Sequence, residues 1–353
     1  MVKFLLVGGT FDEKEGKSSG YVTKLDSLLR ILLPMDYVYC VNGGHISDLG
    51  RFVTSQYSVI IWMPNISNDE PKRLQEIKEK SPHTILVMSK NNRDNKYSPQ
   101  ELVMRMLKVK ANLCLEITGY TSKVGFIANL VDPLGNSFCY SDNIAQVANA
   151  LVKRVKELLS FTRIKSVQQQ AEILDYALPS ERFLKIINES AETFHGLIHG
   201  ANPSRFLGNC SFRCEKGFPS FIEDRTVWVS KRDVDKRYLN YTGFVPVKLS
   251  SVLNYCGDKP SVDAAIHCAL YNYYPRMRYA LHSHVYINGA DTTERRIPCG
   301  AFEEVYEIIK MFPDRSEESI SVNLLGHGSL IMSSCLQDFE HIGYKSRPLW
   351  EGI

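Results

Sequence analysis

Tyr279-Ala280-Leu281-His282-Ser283-His284-Val285-Tyr286 reads as a β-strand carrying two histidines two residues apart. Side chains two apart on a strand share a face. His282 and His284 therefore project the same way and can close on one ion, while Leu281, Ser283 and Val285 turn to the other side. Taken alone, the pattern also fits two satisfied polar residues on a half-exposed strand. Further along, Leu324-Leu325-Gly326-His327-Gly328-Ser329-Leu330-Ile331 sets a third histidine between glycines, with apolar residues on either side. Glycines permit a tight turn at the end of a buried strand, from which His327 can reach an ion that the neighbouring strand holds. Together the three form a three-histidine set with positions open for substrate, as catalysis by a metal requires.

Working outward, Lys259-Pro260-Ser261-Val262-Asp263 precedes an apolar run, Ala264 to Tyr273, that reads as a helix. Ser261 or Asp263 can cap it, and His267 falls one turn along, placed either to pack against a sheet or to orient the site. Arg225 to Ser230, Ser321 to Leu325 and Ser329 to Met332 read as strands, and Phe302 to Met311 as a helix. Another helix starts near Ser180 and carries Phe183, Ile186, Ile187, Phe194 and Ile198 at helical spacing.

The N-terminal half has a different rhythm. Lys3 to Val7, Tyr37 to Val41, Ser58 to Met63, Thr84 to Met88 and Asn112 to Ile117 are short apolar runs, separated by helical stretches at Leu25 to Leu33, Pro71 to Lys80 and Pro99 to Lys108. Such alternation predicts a doubly wound, Rossmann-like parallel α/β domain. A hairpin follows, Phe126 to Val131 with Ser137 to Tyr140 around the turn Asp132-Pro133-Leu134-Gly135-Asn136, then a helix over Asn143 to Phe161. The sequence turns polar from Thr162 to Gln170, so the division into domains is placed near residue 165, giving 1–165 and 166–353. Gly8 and Gly9 follow the first strand, where glycines can admit the phosphate of a nucleotide close to backbone amides. Gly16-Lys17-Ser18 has the ending of a P-loop but not its spacing from Gly9.

A chain of 353 residues with 44% hydrophobic and 23% charged residues has the composition of an ordinary globular protein of two domains. The formal charge is +3, and the 42 basic residues are spread along the chain rather than gathered in a stripe, which argues against a nucleic-acid partner. No apolar stretch has the length of a membrane span or the flanks of a secretory signal, so the expected location is the cytoplasm, with no membrane partner. The nine cysteines show no zinc-finger spacing, and Cys210 and Cys214 read as thiols rather than ligands.

The order of these motifs resembles the class II aldolase/adducin family. The motifs are Gly208-Asn209-Cys210-Ser211-Phe212-Arg213, then Pro260-Ser261-Val262-Asp263 with His267 and Tyr271, then Pro275 through His282-Ser283-His284, then His327-Gly328. For the C-terminal half, the resemblance implies an α/β/α domain with a mostly antiparallel central sheet. It implies a divalent ion, zinc by preference, on His282, His284 and His327, and a sugar-phosphate substrate that undergoes aldol cleavage, epimerisation or dehydration through a metal-stabilised enediolate. Asn209 and Ser261 fall on substrate-phosphate positions and Asp263 on the catalytic acidic position; a homotetramer is implied as well. The chain departs from the family where Ser230-Lys231-Arg232-Asp233 replaces a Thr-Pro-Ser-Gly-like phosphate loop, so Lys231 and Arg232 become the candidates for anion binding. The tail after His327 is short and leaves Tyr344 as the candidate proton-transfer residue. Two other readings stay open: an adducin-like interaction module without catalysis, and an enzyme whose activity resides on a nucleotide in the N-terminal half.

Overall fold

The computed structural model describes residues 1–52, 56–66, 70–121, 125–170, 179–198, 208–214 and 226–350. The chain forms two compact units, Met1–Ser160 with Pro348–Ile353, and Phe161–Arg347. The first runs β1 (Lys3–Asp12), α1 (Gly20–Leu32), β2 (Tyr37–His45), β3 (Val59–Asn65), α2 (Glu70–Lys80), β4 (Ile85–Asn91), α3 (Pro99–Val109), β5 (Leu113–Thr121), β6 (Gly125–Val131), β7 (Ser137–Ser141) and α4 (Ile144–Ser160). Its sheet has the order β2-β1-β3-β4-β5-β6-β7. Pairing is parallel from β2 to β5 and antiparallel from β5 to β7.

Alternate residues of each central strand enter opposite cores, which is why these strands are apolar throughout. Phe4, Leu6, Val59, Ile61, Val87 and Leu115 pack with Leu25 and Leu29 of α1 and with Val147 and Leu151 of α4. Leu5, Val7, Ile60, Trp62, Leu86 and Met88 pack with Leu74 of α2 and Met106 of α3. Local signals set the ends. Ser98 and Glu101 form a reciprocal capping box at the start of α3, with Pro99 in the first turn. Asp132 Oδ1 accepts the backbone N–H groups of Leu134 and Asn136, both at 3.0 Å, and so closes the β6–β7 hairpin.

Gly8 and Gly9 are required by close packing. A Cβ on Gly8 would collide with Val22 of α1. Gly9 has φ +79°, and a Cβ there would lie 2.7 Å from the Lys17 carbonyl oxygen and 2.8 Å from Asn42 Oδ1. The segment after β1 folds back, with Thr10 N–H donating to Lys17 O at 2.8 Å.

The second unit contains β8 (Ser166–Gln168), α5 (Glu181–Leu197), β9 (Asn209–Cys214), β10 (Thr226–Ser230), β11 (Phe244–Leu249), β12 (Leu253–Tyr255), α6 (Ala264–Tyr273), β13 (Tyr279–Ser283), β14 (Tyr286–Ile287), α7 (Glu303–Met311), β15 (Ser319–Leu324), β16 (Gly328–Ser333) and β17 (Tyr344–Lys345). The main sheet has the order β15-β16-β13-β9-β10-β11-β12-β8, and β14 pairs with β17. All pairs of the main sheet are antiparallel except β12 with β8. Ser166–Gln168, inside the stretch the sequence leaves as a polar connection, is thus an edge strand. Cys210, Phe212, Trp228, Leu281 and Ile331 face Phe183 and Ile187 of α5. Val227, Val245, Ala280, Leu324 and Leu330 face Ala264 and Ile266 of α6 and Ile308 of α7. Helices on both faces of an antiparallel sheet make the expected α/β/α layers.

Two expectations need correction. The second unit ends at Arg347 rather than Ile353: Trp350 N–H donates to the Gly135 carbonyl at 2.7 Å, and its ring packs on the first unit's core. The strand expected over Tyr279 to Tyr286 stops at Ser283, where the backbone bends before β14. Among the described residues no helix is long and apolar enough to cross a membrane.

Candidate metal centre

His282 is the penultimate residue of β13, His284 lies on the bend after it, and His327 sits in the turn between β15 and β16. Strand alternation therefore does not place His284; the bend does. Even so, the ring centroids of His282 lie 5.2 Å from those of His284 and 4.7 Å from those of His327. One ring nitrogen from each of the three falls within 4.8 Å of the others. Glycines make the approach possible. Gly208 (φ +87°) leads into β9, and a Cβ there would lie 2.6 Å from the His282 carbonyl oxygen; a Cβ on Gly328 would collide with the Ser283 carbonyl.

The outward nitrogens are held. His282 Nδ1 lies 2.9 Å from the Ser329 carbonyl, so it carries the proton and donates. Its Nε2 is buried without a hydrogen-bond partner among the described residues. His327 Nδ1 lies 2.7 Å from Glu304 Oε1 in the first turn of α7, which turns Nε2 towards the cluster. A buried, unpartnered imidazole nitrogen facing two more imidazoles fits a cation, since neutral imidazole is a donor ligand and the rings of His282 and His327 are oriented from behind. The electrostatics of His282 and His284 agree. Burial, with His327 adding, pushes His282 down to about 3, and burial with His327 and His282 holds His284 well below its ordinary value. Burial also works against charge on His327, but Cys299 and Glu304 outweigh it and raise His327 well above the usual range. Burial raises Glu304 too, against the pull of His327.

Asp263 precedes α6 but does not cap it with its side chain. Instead Oδ1 accepts Gly300 N–H at 2.8 Å and Oδ2 accepts Asn209 Nδ2 at 2.7 Å. Burial favours its neutral form, yet His282, His327 and His267 together with the Gly300 N–H outweigh that and lower it below the usual carboxylate range. Asp263 and Glu304 thus bring the starts of α6 and α7 to one end of β13, where helix dipoles favour negative charge.

Residues 189–325 match the family model of the class II aldolase and adducin N-terminal domain, a match that ends just short of His327. The second unit carries a class II aldolase domain. The methylthioribulose-1-phosphate dehydratase of Acidiphilium cryptum (strain JF-5) is 30% identical over 106 residues, 30% of this chain and 46% of that protein. The chain thus spans about half the length of the curated relative it matches. Among solved structures, an L-fuculose 1-phosphate aldolase superposes with a TM-score of 0.33 at 11% identity, over 46% of this chain and 80% of that one. The N-terminal class II aldolase domain of a conserved protein from Thermoplasma acidophilum does so with a TM-score of 0.32 at 14% identity, over 48% and 92%.

Within the aldolase domain, Asn209 is paired opposite His282 and buried, with Oδ1 unpartnered among the described residues. The Ser261 hydroxyl receives the Asp263 N–H at 3.4 Å. Lys231 is engaged elsewhere, in an ion pair with Asp258 at 2.7 Å. Arg232 keeps a buried Nε without a partner among the described residues. Tyr344 is not gathered with the histidines: its ring meets Phe194 of α5 edge-on at a centroid distance of 4.8 Å, because β17 pairs with β14 and turns it onto that face. His267 is 1% exposed, and burial pushes it down to about 4. Its Nδ1 lies 2.6 Å from Ser211 Oγ, which donates to the Tyr271 hydroxyl, so His267 belongs to the packing beneath the site.

Sequence reasoning missed Glu304, Cys299 and Lys236. Glu304 had a legible signal, since it shares the buried face of α7 with Ile308, one turn on, and an acid on an apolar stripe asks for a partner. Cys299 lies in an irregular turn, with Sγ 3.0 Å from His327 Nε2. Lys236 is buried, and burial lowers its pKa while Cys210, Asp233, Asp235 and Asp263 oppose that. No periodic pattern marks either.

Proposed function

We propose that the class II aldolase domain is a divalent-metal-dependent lyase that removes a proton beside a carbonyl of a ketose phosphate or a related anionic sugar. The observation that carries this reading is that the Asp263 carboxylate leaves its own helix uncapped and is held instead by Gly300 N–H and by Asn209 Nδ2, from the residue paired opposite His282. His282, His284 and His327 would hold the ion. When bound, a divalent ion supplies Lewis acidity, stabilising negative charge that develops on a carbonyl oxygen.

The rest falls to the chain's own groups. Asp263 is kept ionised, and each oxygen retains a lone pair after its hydrogen bond, so the carboxylate can accept a proton from carbon and return it to a leaving oxygen. Its two fixed donors hold it in one orientation through both transfers. The Ser261 hydroxyl and the Arg232 Nε–H are the groups we assign to the substrate's anionic end, and Asn209 Oδ1 can accept a substrate hydroxyl. Lys236, whose charge acts on both Asp263 and His284, offsets the added negative charge when an anion enters. Dehydration is the reaction to test first, because the curated relative of 30% identity is named a dehydratase.

The test is metal analysis followed by a panel of ketose phosphates. One divalent ion per chain is expected, zinc by preference, and it should be lost in His282→Ala/His284→Ala. Full metal content in the double variant overturns the reading, as does a metal-loaded protein inert towards every member of the panel. A homotetramer is part of the same proposal, and a monomer in sedimentation at micromolar concentration would remove that part.

A further inference from the structure

We propose that Cys299 is the fourth ligand of the ion held by His282, His284 and His327, so that the resting site is closed by a thiolate. The inference rests on the three-histidine reading above and extends it to the position that a catalytic site of this type usually leaves to water or substrate.

Cys299 Sγ lies 3.0 Å from His327 Nε2. The other nitrogen of that ring is engaged by Glu304 at 2.7 Å, so Nε2 is the atom that must face an ion, and the sulfur already sits against it. An ion arriving at Nε2 leaves the sulfur two choices, to coordinate or to vacate. Two ligands of one tetrahedral ion, with Zn–N near 2.0 to 2.1 Å and Zn–S near 2.3 Å, stand roughly 3.6 Å apart. The sulfur needs to shift by only about half an ångström to reach that separation.

Vacating is hindered by the backbone. Gly300 (φ +74°) follows Cys299 and donates its N–H to Asp263 Oδ1 at 2.8 Å, and Ala301 N–H closes a turn onto the Pro298 carbonyl at 3.1 Å. The cysteine is thereby pinned to the same carboxylate that borders the histidines. A second, independent observation points to an ion at this spot: His282 is 3% exposed, and its Nε2 has no partner among the described residues.

Coordination releases the thiol proton to solvent. One thiolate and three neutral imidazoles leave a net charge of about +1 on a divalent ion, which Asp263 alongside neutralises. A soft ligand also biases the site towards zinc or cobalt over magnesium or manganese. A substrate oxygen must then add as a fifth ligand or displace the sulfur.

Cobalt(II) loading of the full chain tests this. The expected result is visible d–d bands of four-coordinate cobalt with a near-ultraviolet thiolate-to-cobalt charge-transfer band; in Cys299→Ser the charge-transfer band disappears while the d–d bands remain. Visible bands without charge transfer in the parent protein overturn the thiolate ligand and leave the histidine site standing. Failure of the parent to retain cobalt at all overturns both. Charge transfer that survives in Cys299→Ser assigns the sulfur to another cysteine and removes Cys299. Should the variant fail to fold, X-ray absorption on the parent decides instead: a single sulfur scatterer at about 2.3 Å is expected, and a shell of nitrogen and oxygen alone rejects the proposal.

Discussion

Each unit buries a carboxylate among side-chain amides, and the two are dressed differently. In the first unit Glu116 accepts Asn92 Nδ2 at 2.6 Å and Asn129 Nδ2 at 3.1 Å. Both amides are locked at their oxygens, Asn92 by the Tyr97 N–H and Asn129 by the Ser137 hydroxyl. In the second unit Asp263 meets one amide whose oxygen is unpartnered among the described residues, and His282, His327 and His267 lower its pKa. The first unit's two histidines, His45 and His83, are exposed, whereas His267, His282 and His327 are buried. Among the described residues Glu116 is held only by neutral amides that are themselves locked, and serves the packing of the sheet. Asp263 is held in place with capacity to spare, the arrangement that chemistry requires.

The same exchange of carboxylate for amide in the two units should therefore separate activity from stability. Asp263→Asn is expected to fold normally, because Asn209 can rotate and present its free oxygen. Turnover of the ketose phosphate that the panel selects should fall by about 10² to 10⁴-fold. Steady-state rates beside a thermal melt measure both, and parental turnover would remove Asp263 from the mechanism.

A pH series sharpens the contrast next. His267 binds its proton at about 4 in the folded protein, against roughly 6.5 in the unfolded chain. Between these values the unfolded state holds the extra proton. The contribution is thus complete above pH 6.5 and lost on acidification towards 4, amounting to about 3 kcal/mol for this residue. Urea titrations of metal-free protein should show the loss, and His267→Gln should flatten it. An unchanged slope in the variant would contradict burial of a neutral His267.

Glu304→Gln keeps the shape behind His327 but removes the charge, and metal affinity should drop about 10 to 100-fold in competition with a chelator. Affinity equal to the parent's would make the contact incidental. The smallest effect belongs to Glu116→Gln, in which the new amide meets two amides that cannot turn. A loss of about 1 kcal/mol in chemical denaturation is expected, with metal content unchanged. A change in metal content there would break the division of roles between the two units.

The layered architecture was legible because strands and helices write their periods into the chain. Apolar runs with helices between them marked the doubly wound sheet, and alternation marked Ala280, Leu281 and His282 as residues of two faces. The hairpin at Asp132 and the glycine-flanked His327 were legible for the same local reason: turn chemistry needs particular residues at fixed offsets. Gly8 and Gly9 show the limit of that logic. A glycine after a parallel strand is a requirement for close approach, and the sequence does not say whether Val22 and Lys17 or a phosphate makes it.

The amino-acid sequence by itself determined the element order, the two-unit plan and the three histidines, since each is encoded within a window of a few residues. Only the tertiary structure decided which way Asp263 points, what stands behind His327, that the Cys299 sulfur lies against its Nε2, that Tyr344 turns onto α5, and that the last residues return to the first unit. Those outcomes depend on partners 23 to 54 residues away in the chain or further, as with Glu304 for His327 and Asn209 for Asp263. Contacts of that kind have no period to read; they exist only once the sheet has brought the ends of its strands and helices to one place.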